Sequence, residues 1–419
     1  MLGTTSDEVV RAVPLPPLSI TAQALPALSS HIHYPEKTRM NDKQTTEKPA
    51  FAKGLKGVIA NETGLSDVRG EEGRLLYCGY EIEDLVDLCS FTEIIYLLLN
   101  KRLPNRDELA GLEQRLRYDR ELPQPILDFF KTATKTARPM SALRTAVSML
   151  GMYDDRTKDP TQMKEIGLSL IAKIPVMAAY YYRICQGLDL PPIRTDLGEA
   201  AHFLWLLKGT EPDEQEAHIL DVAYILHADH GMNASTFSSR VTASTLSDMY
   251  SCITAAIGTL KGPLHGGANE AVIEMLKEIG EEENVEEYIN NKLANREKIF
   301  GMGHRVYKTL DPRAPQLRRI AIRLTQKIGE PKWIRMSDKI ARMVRARKGL
   351  NANVDFYSAS VYYSLGIPTR MFTTIFAIAR SAGWVAQILE QLEDNTLFRP
   401  LSQYTGPDDP LLVPILDMR

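Results

Sequence analysis

The sequence predicts a mainly α-helical fold, with at most a short β-hairpin near the N-terminus. Two observations carry this prediction. Apolar residues recur at helical spacing in most segments after position 90, and several of these segments begin or end with residues that cap helices. Alternating patterns of the kind that strands need are scarce, and the best candidate for a hairpin is RLLYCGYEI at 74–82.

The first helices are predicted between residues 90 and 230. In SFTEIIYLLL (90–99), Ser90 stands three residues before a glutamate, which is the spacing of a capping box, and an apolar run follows. In NRDELAGLEQRLR (105–117), leucines recur at helical spacing after Asn105, a residue type favoured as a helix N-cap. The stretch EAHILDVAYILHADH (216–230) fits a helical period as well.

The C-terminal half continues this pattern. ANEAVIEMLKEIG (268–280) is periodic and closes on Gly280. WIRMSDKIARMVRARKG (333–349) ends in basic residues followed by Gly349, a favourable C-terminal pattern. FTTIFAIARSAGWVAQILEQL (372–392) is apolar on all sides, which indicates a buried helix.

Residues 1–52 differ from the rest and are predicted to form a disordered extension. The stretch AVPLPPLSITAQALPALSSHIHYPEK is rich in Pro, Ser and Ala and has no sustained period. It lacks the basic start and apolar core of a signal peptide, while Asp7, Glu8 and the scarcity of Arg argue against an organellar transit peptide. Met40 opens MNDKQTTEK and would serve as a start site, which would make residues 1–39 an upstream extension. We therefore expect a cytoplasmic protein.

Length and composition exclude several function classes. The 419 residues suggest two domains, or one large domain with a smaller one inserted, and the net charge of −3 implies no whole-chain attraction to nucleic acid or to an anionic membrane. The four cysteines have no CxxC spacing, which argues against a disulfide framework or a zinc knuckle. No apolar run approaches the roughly 20 residues that a membrane-spanning helix needs. We expect neither nucleic acid nor a membrane as a partner.

The residue types that carry chemistry gather in a few short segments. Six of the eight histidines lie at or after position 202, and four of them fall inside these segments. Glycines flank these histidines, so that the backbone can approach a ligand closely. The segments are LHADHGMNAS (226–235), GPLHGGANEA (262–271), GMGHRVYKTLDPRAP (301–315), NANVDFYSAS (351–360) and the C-terminal pair ARSAGW (379–384) with FRPLSQYTG (398–406).

Two of these residues are candidates for proton chemistry. His265 precedes two glycines and a predicted helix start, whose positive end disfavours a protonated imidazole. A neutral imidazole can still donate one N–H and stabilise an enolate, although a loop histidine with satisfied hydrogen bonds fits the same pattern. Asp355 has apolar neighbours on both sides, which raise the pKa of a carboxyl group and make it a better base, although an N-cap aspartate is the commoner explanation of such a residue taken alone.

A cluster of cations indicates an anionic ligand. His304, Arg305, Lys308 and Arg313 fall within ten residues, the composition expected around a carboxylate or a phosphate. From position 313 to position 348, twelve Lys or Arg stand against two acids, which is typical of a solvated helix face or of a docking surface for phosphates. Nucleic acid is a weaker interpretation, since no aromatic interleaving accompanies these cations.

The HADH motif raises the question of a metal. His227 and His230 stand three residues apart, and on a helix they would share one face. Neither an HExxH motif nor a further ligand at helpful spacing accompanies them, so we expect no metal site.

The order of the motifs resembles the citrate synthase family. The matching stretches are ADHGMNAST, GPLHGGANEA, GMGHRVYKTLDPRA, NVDFYS and RPLSQYTG, and the resemblance runs from about residue 53 to the end. It implies an almost wholly helical, two-domain homodimer, with a large dimerisation domain (53–262 and 361–419) and a small domain (263–360) for CoA and catalysis. The implied reaction joins acetyl-CoA and oxaloacetate and hydrolyses the citryl thioester, with no cofactor and no metal.

The resemblance also implies roles for individual residues. Asp355 matches the base that removes a methyl proton from acetyl-CoA, and His265 matches the neutral donor to the thioester oxygen. His304 matches the group that polarises the ketone of oxaloacetate. The implied oxaloacetate ligands are His230, Arg313, Arg380 and Arg399, the last reaching into the partner subunit's site, and Arg305 and Lys308 fall where the family places cations near the CoA phosphates.

Two alternatives remain open at this stage. A 2-methylcitrate synthase acting on propionyl-CoA shares these motifs, and one methyl group is worth only about 1–3 kcal/mol of discrimination. A non-catalytic CoA-binding scaffold on the same fold is the second alternative, since a fold does not determine a function. The presence of His265, His304 and Asp355 together argues against the scaffold.

Overall fold

The structure, a computed structural model, describes residues 51–413, 415 and 416. The predicted disordered extension lies outside these residues apart from its last two positions. By its contacts the chain divides into two units, Met1–Val58 and Ile59–Arg419. The described part of the first unit contains a single 3-10 turn, Lys53–Leu55.

The described residues confirm the mainly α-helical prediction. They form sixteen α-helices and three short strands, and all of these elements belong to the second unit. The strands are β1 (Ser66–Arg69), β2 (Arg74–Tyr77) and β3 (Tyr80–Glu81). The helices are α1 (Ile82–Leu88), α2 (Phe91–Asn100), α3 (Arg106–Tyr118), α4 (Gln124–Thr132), α5 (Pro139–Leu150), α6 (Met163–Gln186), α7 (Glu199–Lys208), α8 (Glu214–His227), α9 (Ala234–Ser244), α10 (Met249–Leu260), α11 (Ala268–Ile279), α12 (Val285–Ala294), α13 (Arg313–Lys327), α14 (Lys332–Lys348), α15 (Val354–Ser364) and α16 (Phe372–Glu393).

The small sheet contains the predicted hairpin and one further strand. Strands β2 and β3 pair antiparallel, and the two residues between them, Cys78 and Gly79, both have positive φ angles of 48° and 90°. Two left-handed residues in a two-residue loop match the twist of a hairpin. Strand β1, which the sequence did not predict, pairs with β2 from Ser66 to Arg69. Its four residues, SDVR, contain one apolar side chain, too few to produce an alternating pattern.

The predicted helix caps are present. The Ser90 side chain accepts the backbone N–H of Glu93, whose carboxylate accepts the backbone N–H of Ser90 at 2.7 Å, which completes the capping box. Asn105 caps α3 in the same way, and Gly349 ends α14 in the left-handed conformation with φ at 67°. Capping satisfies backbone groups that the helix itself leaves unpaired.

One predicted helix ends earlier than expected. Helix α8 stops at His227, three residues before the predicted end, and the chain then turns through Gly231 with φ at 56°. His227 and His230 therefore do not share one helix face, and that part of the prediction is wrong. The turn instead presents His230 beside the loop that carries His304.

Helix α16 forms the centre of the core. It packs against α2, α6, α8, α9 and α10, which surround it. The segment Thr369–Glu393 is long and apolar enough to cross a membrane by composition, but 94% of its apolar window is buried inside the protein. Its hydrophobic character is explained by its place in the core.

Helices α11–α15 pack mainly on one another. Helix α15 contacts α11, α13 and α14, while α12 lies against α14. The division at 263 and 360 that the resemblance implies stays a prediction. The loop between α12 and α13 also contacts the turn between β1 and β2, because the backbone N–H of Lys308 donates to the carbonyl of Gly70 at 3.0 Å.

Candidate active site

Six of the nine predicted site residues form a cluster that contains two buried arginines, Arg313 and Arg380. The rings of His230 and His304 lie 5.2 Å apart between centroids. Burial is the main influence on the pKa values of His265, His230 and Asp355, and the charge of Arg380 is a smaller influence on all three, which come from three separate segments. The structure thus brings a loop, a turn and a helix terminus to one cluster.

His265 lies in the turn before α11 and is held by Ser235. The Nε2 atom of His265 is 3.3 Å from the backbone N of Ser235 and 2.8 Å from its hydroxyl oxygen. A backbone N–H can only donate, so Nε2 accepts and the ring proton belongs on Nδ1. Burial, with a smaller contribution from Arg380, lowers the pKa of His265 to about 4. The ring is therefore neutral at pH 7, because of burial more than because of the helix end invoked from the sequence.

His304 is held in the opposite tautomer. Its Nδ1 accepts the backbone N–H groups of Val306 at 3.0 Å and Tyr307 at 3.1 Å. The single proton of a neutral ring must then sit on Nε2. Burial, followed by the charge of Arg313, lowers the pKa of His304 to about 4. This ring is also neutral at pH 7, and its Nε2–H is available to donate.

Asp355 is not the N-cap of α15. That position belongs to Asn353, whose side chain accepts the backbone N–H of Asp355 at 3.1 Å, and the capping alternative is therefore wrong. The Asp355 side chain is half-buried, and its Oδ1 is buried without a hydrogen-bond partner. Burial raises the pKa of Asp355 to about 7, although the charges of Arg313 and Arg380 oppose that rise. A carboxylate with this pKa is a stronger base than an exposed one.

The two buried arginines still have donors to offer. Arg313 donates from Nε and Nη2 to the carboxylate of Asp311, at 2.9 Å and 2.8 Å. Arg380 donates from Nε to the carbonyl of His227 at 2.7 Å, and its guanidinium lies 4.9 Å from the centre of the Phe376 ring. Within the described residues, Nη1 of Arg313 and both Nη atoms of Arg380 make no hydrogen bond. Arginines in this state suit an anionic ligand.

His230 completes this side of the cluster. Its Nε2 lies 3.1 Å from the hydroxyl of Tyr307, and burial lowers its pKa well below the usual value.

The pair of His227 and His230 shows no metal-binding arrangement. His227 donates from Nδ1 to the carbonyl of Ala223 at 2.7 Å, and residues 51–413 contain no group of three or more His, Cys, Asp or Glu side chains that could hold a metal ion.

Three predicted residues stand apart from the buried cluster. Arg305 and Lys308 are exposed on the same loop as His304. Arg399 is exposed in the extended segment after α16, and nothing in the single chain ties it to the cluster. Its proposed place in the partner's site stays a prediction.

Sequence reasoning missed the residues that hold the site in place. Ser235 orients His265, Asp311 orients Arg313, and Tyr307 contacts both His230 and His304. The hydroxyl of Tyr77, in the sheet, donates to the carbonyl of Asp229 at 2.9 Å and fixes the turn before His230. Of these residues, only Asp311 could have been found from the sequence, because it stands two residues before Arg313 in the predicted anion site.

Comparisons with known proteins place the chain in a family. Residues 54–401 match the family described as citrate synthase, C-terminal domain. The chain is 51% identical to citrate synthase 2 of Bacillus subtilis strain 168, over 87% of this chain and 98% of the relative. It is 41% identical to 2-methylcitrate synthase 2 of Corynebacterium glutamicum, over 87% of this chain and 97% of the relative.

A solved structure agrees with this result. The citrate synthase of the archaeon Thermoplasma acidophilum, in a ternary complex with carboxymethyl coenzyme A and oxaloacetate, superimposes with a TM-score of 0.83. The two chains are 33% identical, and the match covers 88% of this chain and 99% of the other. This chain therefore belongs to the citrate synthase family of enzymes.

Proposed function

We propose that the enzyme condenses acetyl-CoA with oxaloacetate and hydrolyses the resulting citryl-CoA to citrate and CoA, without a metal or a redox cofactor. One observation carries the proposal: two neutral imidazoles with opposite tautomers and a carboxylate with a pKa near 7 surround two buried arginines. In such a set, the carboxylate can remove a proton from carbon while the arginines bind a small dianion.

The first step is removal of a methyl proton. This proton is too weakly acidic for a carboxylate to remove alone, so a base and a hydrogen-bond donor must act together. Asp355 takes the proton while the Nδ1–H of His265 donates to the thioester oxygen, which becomes the enol oxygen. Each group of this kind typically contributes about 10²–10⁴-fold to the rate.

The second step joins the enol carbon to the ketone carbon of oxaloacetate. The Nε2–H of His304 donates to the ketone oxygen, which gains negative charge as the carbon–carbon bond forms. The free guanidinium donors of Arg313 and Arg380 bind the two carboxylates, and His230 adds a neutral contact. Water then cleaves the thioester, which releases citrate and CoA.

Peripheral cations complete the proposed site. Arg305 and Lys308 bind the CoA phosphates from the exposed loop beside His304. Arg399 reaches the oxaloacetate bound in the other subunit of a homodimer, and its exposed position in the single chain supports this role.

The base assignment is tested by CoA release that depends on oxaloacetate, followed with a thiol reagent. We expect Asp355→Asn to lower kcat by about 10²–10⁴-fold, the usual contribution of a general base. Asp84→Asn, an exposed carboxylate in the first turn of α1, is the matched control and should retain native activity. An Asp355→Asn enzyme with undiminished kcat would refute the assigned base.

A second candidate function is the condensation of propionyl-CoA with oxaloacetate. The identity of 41% to a 2-methylcitrate synthase favours it, although the identity to a citrate synthase is higher at 51%. We expect kcat/KM to be larger for acetyl-CoA than for propionyl-CoA. The reverse order would assign the chain to the second function, and the proposed roles of the site residues would remain the same.

A further inference from the structure

Three buried polar atoms on α15 and at the end of α8 have no hydrogen-bond partner. They are Oδ1 of Asp355, the hydroxyl of Tyr362 and Nε2 of His227. Buried polar atoms are nearly always hydrogen-bonded to protein or to ordered water. None of the proposed catalytic steps uses Tyr362 or His227, so these atoms require another explanation.

Two of the three groups share one face of α15. Asp355, Ala359 and Tyr362 follow one another at four and three residues, which is the spacing of a single helix face. Long side chains on a helix lean toward its N-terminus, so Tyr362 leans toward Asp355. Ala359 stands between them on this face, and its small side chain leaves space between Asp355 and Tyr362. Burial raises the pKa of Tyr362, and the charge of Asp355 raises it further, as expected for neighbours.

The third group comes from α8, which ends at His227. The ring of His227 lies 6.4 Å from the ring of Tyr362.

The donors and acceptors in this set match one water molecule. His227 uses Nδ1–H to donate to the carbonyl of Ala223, so its Nε2 can only accept. Oδ1 of Asp355 is an acceptor as well, while the hydroxyl group of Tyr362 is a donor. A water molecule offers its two protons to the two acceptors and a lone pair to the donor.

We propose that Tyr362, His227 and Asp355 bind one ordered water behind the base, and that Tyr362 positions the Asp355 carboxylate through it. The inference rests on the proposed function, in which Asp355 is the base. The water holds Oδ1 and leaves Oδ2 to the substrate. Tyr362 is a positioning residue, because it acts on Asp355 and touches no reacting atom.

The electrostatic consequence has a definite sign. A hydrogen bond donated to a carboxylate favours its charged form and lowers its pKa. The charged groups that act on Asp355 are Arg313, Arg380 and Lys298, which lower its pKa, and Asp311, which raises it. Removal of the Tyr362 hydroxyl changes none of these groups. It removes one donor from the water and should therefore raise the pKa of the base.

The first experiment compares Tyr362→Phe with Tyr363→Phe on the full-length enzyme. Tyr363 is the adjacent residue on α15, half-buried against Trp333 at a ring distance of 5.0 Å, and is the matched control. We expect Tyr362→Phe to move the acidic limb of the kcat/KM profile for acetyl-CoA upward by about one pH unit, with recovery of the rate at higher pH. Tyr363→Phe should leave that limb in place. A lower rate at every pH with an unmoved limb would overturn the proposal.

A second substitution tests the opposite direction and does not depend on how well the phenylalanine variant folds. Replacement of Tyr362 by 3-fluorotyrosine keeps the hydroxyl and makes it a stronger donor, so the acidic limb should move to lower pH. An unmoved or upward-shifted limb would contradict the proposal. Failure of the underlying assignment has a different signature: Asp355→Asn would then retain activity, whatever the pH profiles of the Tyr362 variants.

Discussion

At the scale of the residue, the carboxylate of Asp355 lies in surroundings that oppose its charge. Its pKa is raised from 3.8 to about 7, chiefly by burial. A group whose pKa is raised by folding stabilises the folded state below its unfolded pKa, and this contribution is lost as the pH rises through the folded pKa. Above pH 7 the enzyme therefore holds an unfavourable charge at the position where its proposed chemistry needs one.

Asp355→Asn should consequently be more stable than the native enzyme at pH 8. We expect the free energy of unfolding to increase by about 2 kcal/mol, after discounting for the partial exposure of the side chain, and the difference to shrink toward zero near pH 4. Urea unfolding at the two pH values measures it. An equal difference at both pH values would show that the effect comes from packing and not from the charge.

The sequence could indicate the reacting residues but not their orientation. His265 and His304 stand out because glycines flank them, and Asp355 because of its apolar neighbours. Their tautomers depend on hydrogen bonds that no local pattern reveals, such as the one from Ser235, which lies thirty residues before His265 in the chain. The tautomers follow from the folded backbone, which a local motif cannot specify.

At the scale of the element, the approach of α16 to the turn after α8 is what brings Arg380 and His230 together. Gly383 makes that approach possible. A Cβ atom at this position would clash with the carbonyl oxygen of Ala228 and lie 2.8 Å from Oδ1 of Asp229. The glycine is required by lack of space, since its φ angle is not positive.

Gly383→Ala should therefore weaken both the core and the site. We expect a loss of about 1–3 kcal/mol in unfolding free energy, as for other overpacked cores, and a higher KM for oxaloacetate. Gly111→Ala is the control, because Gly111 lies in α3 with no atom within 4 Å of the added Cβ. That substitution should stabilise the protein by about 0.5–1 kcal/mol. Thermal unfolding and steady-state kinetics give both quantities, and equal effects in the two variants would refute the steric argument.

Elements were predicted well where the signal is local and poorly where it is tertiary. The predicted capping box at Ser90 and the predicted N-cap at Asn105 both depend on residues three apart, and both are present. Strand β1 is defined by its pairing with β2, and the end of α8 at His227 accompanies a turn that Tyr77 holds from the sheet. Contacts between distant segments set these boundaries, so periodicity alone could not locate them.

At the scale of the whole molecule, a single chain leaves part of the predicted site incomplete. Arg399 is exposed, as are several large apolar side chains that follow it, including Leu401, Leu411 and Leu412 at 75%, 76% and 95%. Exposed apolar side chains of this kind mark surfaces that contact a partner. They support the homodimer that we propose, in which each site receives Arg399 from the other subunit.

Heterodimers of two different variants test this arrangement. If each site uses residues of both subunits, one chain can supply the native residue that the other chain lacks. Arg399→Ala should weaken activity at low oxaloacetate on the order of 100-fold, the loss typical of an interfacial charge, and Asp355→Asn should be nearly inactive. A dimer with one chain of each kind contains one site with native Asp355 and native Arg399. With two different affinity tags to purify it, this heterodimer should have about half the native activity, since one of its two sites is complete. If Arg399 served its own chain, no complete site would form, and the heterodimer would be no more active than the Arg399→Ala homodimer.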